Sequence, residues 1–134
     1  MDPHAESALP ACAARVAPKA VVVSAWTLVA AIPLQFLLAG LMLFHDPALR
    51  IGHVALGILL LIPVTILAAA PWLRRSVRPL RWWPGLVALL TVVQVVLGAG
   101  GGGGWPKAAH VLNAALILMA ALVVAAKIER SHKG

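Results

Sequence analysis

Two histidines occupy matching places in two similar stretches. "RIGHVALGILL" (50–60) and "KAAHVLNAALIL" (107–118) each open on a basic residue, Arg50 or Lys107. Each cation is followed three positions later by a histidine and then a valine, giving His53 and His110. Three residues is close to one helical turn, so each cation shares a helix face with its histidine. One turn beyond each histidine the side chain is small, Gly57 in one stretch and Ala114 in the other. Upstream, "LQFLLAG" (34–40) and "VQVVLGAG" (93–100) each carry one glutamine in an apolar run, Gln35 and Gln94.

An ionisable ring inside an apolar run is costly unless something uses it. Two neutral imidazoles on facing helices can supply both axial ligands of a b-type haem. The small residues at 57 and 114 would leave room for the macrocycle, and Arg50 and Lys107 would pair with its propionates at the wet edge. Haem sites in four-helix bundles are built in this way from facing helices. The same residues have plainer readings. Histidine near a span end can bond to water or a lipid headgroup, with Arg and Lys snorkelling beside it. A duplication also copies an idle feature as readily as a used one. Gln35 and Gln94 suit interhelical hydrogen bonds worth about 0.5–2 kcal/mol, or contact with a quinone carbonyl or a haem edge. Asn113 shares the face of His110, where it orients a ligand or closes an interhelical contact. His45 and Asp46 precede the first histidine stretch, and with His53 and His110 they form an alternative copper or zinc set.

The elements that must hold these residues are apolar helices. Of 134 residues, 62% are hydrophobic and 11% charged, against about 45–50% and about 25% in soluble domains. The excess falls in long blocks, which predicts an all-α integral membrane protein with four transmembrane helices in an up-down bundle made of two repeated helix hairpins. The expected spans are about 20–44, 52–70, 80–98 and 108–126, within a domain of 19–127. Residues 1–18 read as a disordered cytoplasmic tail, and 128–134 as a cytoplasmic tail. Pro33 and Pro63 predict bends rather than breaks within their spans. The five glycines at 100–104 lack a phosphate-loop lysine and read as a flexible linker.

Charge sets the expected orientation. The net charge is +7, and nine of the eleven Lys and Arg residues fall in the N-terminal tail, the 71–85 connector and the C-terminal tail. The positive-inside rule then places both termini in the cytoplasm, in a bacterial cytoplasmic (inner) membrane crossed several times. The basic connector could dock a cytoplasmic protein, but such segments more often set topology and meet anionic lipid. No basic face or motif points to nucleic acid. Cys12 is the one cysteine, so no intramolecular disulfide forms. The four acids, Asp2, Glu6, Asp46 and Glu129, all lie outside the expected spans, which argues against transport through an intramembrane carboxylate. No Ser-His-Asp set or cysteine metal motif is present, and a stand-alone enzyme is not expected.

The layout "LQFLLAG … H…LG … VVQVVLG … HVLNA" resembles a group of small bacterial four-span membrane proteins of unassigned function. It is more distantly similar to one four-helix half of the haem A synthase family and to cytochrome-b-type membrane proteins. The resemblance covers about residues 30–126. It implies His53 and His110 as haem ligands. The chain lacks the second histidine pair and the acidic residue that haem A synthase chemistry would need, so catalysis is not implied. The expected function is a small cytochrome-b-like protein that binds one haem near the outer face for electron transfer or haem handling. Its partners would be the bilayer, a quinone or a membrane redox protein. The alternative is a cofactor-free accessory subunit of a larger membrane complex, or a homodimer.

Overall fold

A computed structural model describes residues 17–100 and 104–133. The expected features at 1–16, Cys12 among them, and the glycines at 101–103 lie outside the described residues. The described chain is helical: α1 (Lys19–Phe44), α2 (Arg50–Leu59), α3 (Leu61–Leu73), α4 (Trp82–Ala99) and α5 (Trp105–Lys133). Short 3-10 turns cover Pro47–Leu49 and Arg75–Leu80. There is no strand among the described residues. Four stretches are long and apolar enough to cross a membrane: Lys19–Phe44, Pro47–Leu73, Trp82–Ala99 and Trp105–Arg130. By length and composition the chain suits a multi-pass membrane protein.

The two prolines act differently. α1 runs through Pro33 without a break. The second stretch is interrupted at Leu60, between α2 and α3. Pro63 has no N–H to offer the carbonyl of Leu59, and its ring crowds that turn. The flanking bonds survive, with Leu60 N–H on Leu56 O at 3.0 Å and Val64 N–H on Leu60 O at 3.3 Å.

The packed core is confined to one end of the bundle. It joins Ala17, Val21, Ala25, Leu28 and Ile32 to Val64, Leu67 and Ala70 of α3 and to Val87 of α4. The second half of α5 completes it, through Ile117, Ala120, Ala121, Val124, Ala125 and Ile128. This basic end also carries the Arg75–Leu80 turn, whose Val77 is buried. Alanines supply much of the core, and small side chains let helix backbones approach closely. Lys127 of α5 lies over the ring of Trp83 on α4, 5.6 Å from its centroid. The opposite, far end holds the turn after α1 and the start of α5. There α2 buries no residue, and no Cα of α2 comes within 8 Å of α4 or α5.

Two expected boundaries change. Ala17 is 2% exposed and belongs to the core, while Val21 and Val22 donate to the carbonyl of Pro18. The disordered-tail reading therefore fails for 17–18, because an apolar residue there finds a packed surface. The basic connector forms a 3-10 turn that Val77 anchors in the core. Residues 128–133 continue α5, with Ile128 buried. Leu67, fully buried, predicts the cost of opening this core: Leu67→Ala should lower stability by about 2–5 kcal/mol. Leu43→Ala, at a residue 68% exposed, should change it by less than about 0.5 kcal/mol. Reversible unfolding in mixed micelles, followed by circular dichroism, measures both.

Candidate functional site

Gln35 sits on α1, His53 on α2, Gln94 on α4, and His110 and Asn113 on α5. In an apolar helix each polar side chain must find its partner on a neighbouring helix. Gln35 and His53 do so reciprocally. The Gln35 amide donates to the carbonyl of His53 at 3.0 Å. The Nδ1–H of His53 donates to the carbonyl of Gln35 at 3.3 Å. These two bonds lace α1 to α2.

The second hairpin is laced by a longer chain. The Nδ1–H of His110 donates to the carbonyl of Gln94 at 3.2 Å. The Gln94 amide donates to Nε2 of the same ring at 3.1 Å. Asn113 donates to Gln94 Oε1 at 2.7 Å and to the carbonyl of Leu90 at 2.9 Å. Asn113 is buried and fixes the orientation of the Gln94 amide, since an acceptor must face its N–H. α4 and α5 are thereby joined through three side chains.

The two imidazoles meet. Their ring centroids are 6.3 Å apart, with planes inclined at 57°. In each ring Nδ1 carries the proton, because a carbonyl oxygen can only accept. Nε2 is then the lone-pair nitrogen of both rings. A backbone carbonyl on Nδ1–H is the usual device that fixes the tautomer and orientation of a metal-binding histidine. The Nε2 of His53 has no hydrogen-bond partner among the described residues, whereas that of His110 is covered by Gln94. Gln35 Oε1 is buried without a partner.

Two glycines make these approaches possible. A Cβ on Gly57 would stand 3.1 Å from Gln35 Nε2, so the missing side chain opens the His53 carbonyl to the glutamine. The room at Gly57 is thus taken by Gln35. A Cβ on Gly98 would stand 3.1 Å from Cε1 of His110. Gly98 was missed in the sequence reading. Its signal was its place one turn after Gln94, facing the helix that carries His110. Ala114 is half-buried beside the pair.

The remaining expected residues lie apart from this cluster. Arg50 and Lys107 are exposed at the far end. His45 is exposed, and the Asp46 carboxylate accepts from Ala48 N–H at 2.8 Å, capping the following 3-10 turn. Among the described residues no three His, Cys, Asp or Glu side chains gather to hold a metal ion. The copper or zinc set of His45, Asp46, His53 and His110 is therefore not assembled, because Asp46 is spent on its turn.

Residues 35–100 match the model of a family of unknown function, DUF6220. The match takes in Gln35, His53 and Gln94 and stops short of His110. No curated protein matches the chain, and no solved structure does. Similarity to haem A synthase or to a cytochrome b is therefore not shown by these comparisons.

The Gln94–Asn113 bond predicts coupled losses. Asn113→Ala and Gln94→Ala should each cost about 1–2 kcal/mol of stability. The double variant should cost less than the two together, by about 0.5–1.5 kcal/mol, because the pair shares one bond. A double-mutant cycle in mixed micelles reads this difference.

Proposed function

We propose that this chain is a small membrane protein of the bacterial cytoplasmic membrane that binds one b-type haem through His53 and His110. It would serve electron transfer or haem handling. The carrying observation is the paired imidazoles, each with Nδ1–H on a backbone carbonyl, at a centroid separation of 6.3 Å. His53 and His110 would hold the iron through Nε2, the nitrogen that keeps its lone pair in each ring. The separation of α2 from α4 and α5 supports the same reading, since a flat macrocycle needs space between helices. On this reading the two hairpins are repeats, each giving one ligand and one cation, with Arg50 and Lys107 at the propionate edge. Haem bound there would supply a one-electron couple tuned by its axial imidazoles and their hydrogen bonds. The chain's own residues hold the rings, fix the lone pairs and shield them with apolar helix. The nine basic residues that fall in the two tails and the 71–85 connector of the sequence favour both termini in the cytoplasm. Haem would then sit toward the opposite face, and a quinone or a membrane redox protein would exchange the electron.

A second reading has its own observation. The Gln94–His110–Asn113 chain is closed by hydrogen bonds within the protein. That is what interhelical glue in a cofactor-free accessory subunit would look like.

An absorption spectrum separates the two. Protein expressed with ample haem and purified in detergent should show a Soret band. Reduction should give sharp α and β bands, and a pyridine haemochrome assay should give about one haem per chain. His53→Ala and His110→Ala should each lose the low-spin spectrum. A flat spectrum would sink the haem reading. Unchanged assembly of both alanine variants into a larger complex would favour the accessory-subunit reading.

A further inference from the structure

At the basic end, Arg75–Leu80 is a 3-10 turn. This helix type has three residues per turn, so side chains three apart stack along one edge. The sequence places arginines at 75, 78 and 81, which is that period. All three are exposed. Together with Pro79 and Trp82 they line a single groove of about 530 Å³. No acidic side chain lines it. The Arg81 guanidinium lies 5.3 Å from the centroid of the Trp82 ring, which holds it in place.

Three guanidinium groups on one edge repel one another unless an anion with several acceptor oxygens sits among them. α4 starts at Trp82 with no acidic residue in its first turn and no side-chain cap. Its N-terminal partial charge adds to the field in the same place. Trp72 and Trp82 are strongly exposed at adjoining helix ends. Exposed tryptophans at the ends of apolar helices sit at headgroup height in a bilayer. The groove is then level with lipid phosphate.

We infer that Arg75, Arg78, Arg81 and Trp82 form a headgroup site for an anionic phospholipid that carries two phosphodiesters, of the cardiolipin class. Three guanidinium groups offer more donors than one phosphate can accept from, and the groove has room for a headgroup with two. Basic grooves at helix ends are known to suit such headgroups. The inference rests on the membrane-spanning reading and is independent of the haem.

The test is native mass spectrometry of the full chain in neutral detergent, titrated with cardiolipin. Wild type should form a one-to-one adduct and take up phosphatidylcholine far less. The triple variant R75Q/R78Q/R81Q should bind on the order of a hundredfold more weakly, at about 1 kcal/mol per basic residue. The variant R75K/R78K/R81K keeps the charge and loses the bidentate fork, so it should fall between the two. Arg74→Gln and Arg130→Gln, exposed and outside the groove, should change binding less than about threefold. Helical circular dichroism of every variant keeps misfolding apart from lost binding. Wild-type binding by the triple glutamine variant overturns the site. So does equal uptake of phosphatidylcholine, or displacement of the lipid by a similar concentration of inorganic phosphate. Carbonate extraction of cell membranes tests the membrane-spanning reading separately: release of the chain would overturn that reading, whatever the titration gives.

Discussion

A polar side chain on an apolar helix has few places to go. Away from water, an unpaired amide or imidazole costs a few kcal/mol, so it must reach a partner on the next helix. In this chain that requirement decides how α1 meets α2 and how α4 meets α5. Gln35 and His53 exchange backbone bonds across one pair of helices. Gln94, His110 and Asn113 close the other pair. The apolar residues around them are less directional, since an aliphatic side chain has no donor or acceptor to aim. The polar contacts fix rotation and register, because a helix turned by one residue would carry its glutamine some 100° away from its partner. The glycines follow from this. Gly57 and Gly98 stand where a Cβ would press on the glutamine or the imidazole.

The bundle divides its labour along its length. The basic end is closely packed through alanine, valine, leucine and isoleucine from α1, α3, α4 and α5, with Val77 tying the connector to the same core. The far end has polar contacts within each hairpin and little apolar packing between them. Stability from one end therefore leaves the other free to present side chains, as binding regions are commonly drawn from the less tightly packed part of a fold. The break at Leu60 marks the change. Below it α3 joins the core; above it α2 leans on α1 alone among the long helices outside its own stretch. Pro63 removes one rung of the helix beside the interruption at Leu60.

Much of this was legible in the sequence, for identifiable reasons. Long apolar blocks and short gaps marked the four long apolar stretches, because composition changes sharply where chain leaves an apolar setting, but not the break at Leu60 or the extension of α5 to Lys133. The two basic-x-x-His-Val stretches placed His53 and His110 at matching depth, and the rings do meet. The glutamines were read as interhelical donors, and they are. Other features were hidden because they depend on the rotation of one helix against another. Nothing in the periodicity said that the Gln94 amide would cover Nε2 of His110, while the Gln35 amide would turn to a backbone carbonyl. The docking of Val77 in the connector is equally hidden, because four arginines surround the one valine that reaches the core. Ala17 was assigned to a tail because prolines surround it, yet its burial depends on surfaces supplied by distant helices.

The inequality between the two halves bears directly on the haem proposal. Any group that takes both imidazole nitrogens finds His53 Nε2 unengaged but must displace Gln94 from His110 Nε2. Gln94 cannot simply rotate its amide, because Asn113 donates to its oxygen and would then face an N–H. The displacement therefore breaks two hydrogen bonds at once, on the order of 1 kcal/mol each where no substitute is found. That is small beside a metal–imidazole bond, yet large enough to set an order. On that proposal His53 would be the ligand ready at the outset, and His110 the one whose availability depends on its neighbours. Asn113 would then act on the second ligand through the glutamine it holds. The two histidine environments thus differ in their hydrogen bonding, and the difference resides in whether an asparagine lies one turn beyond the histidine.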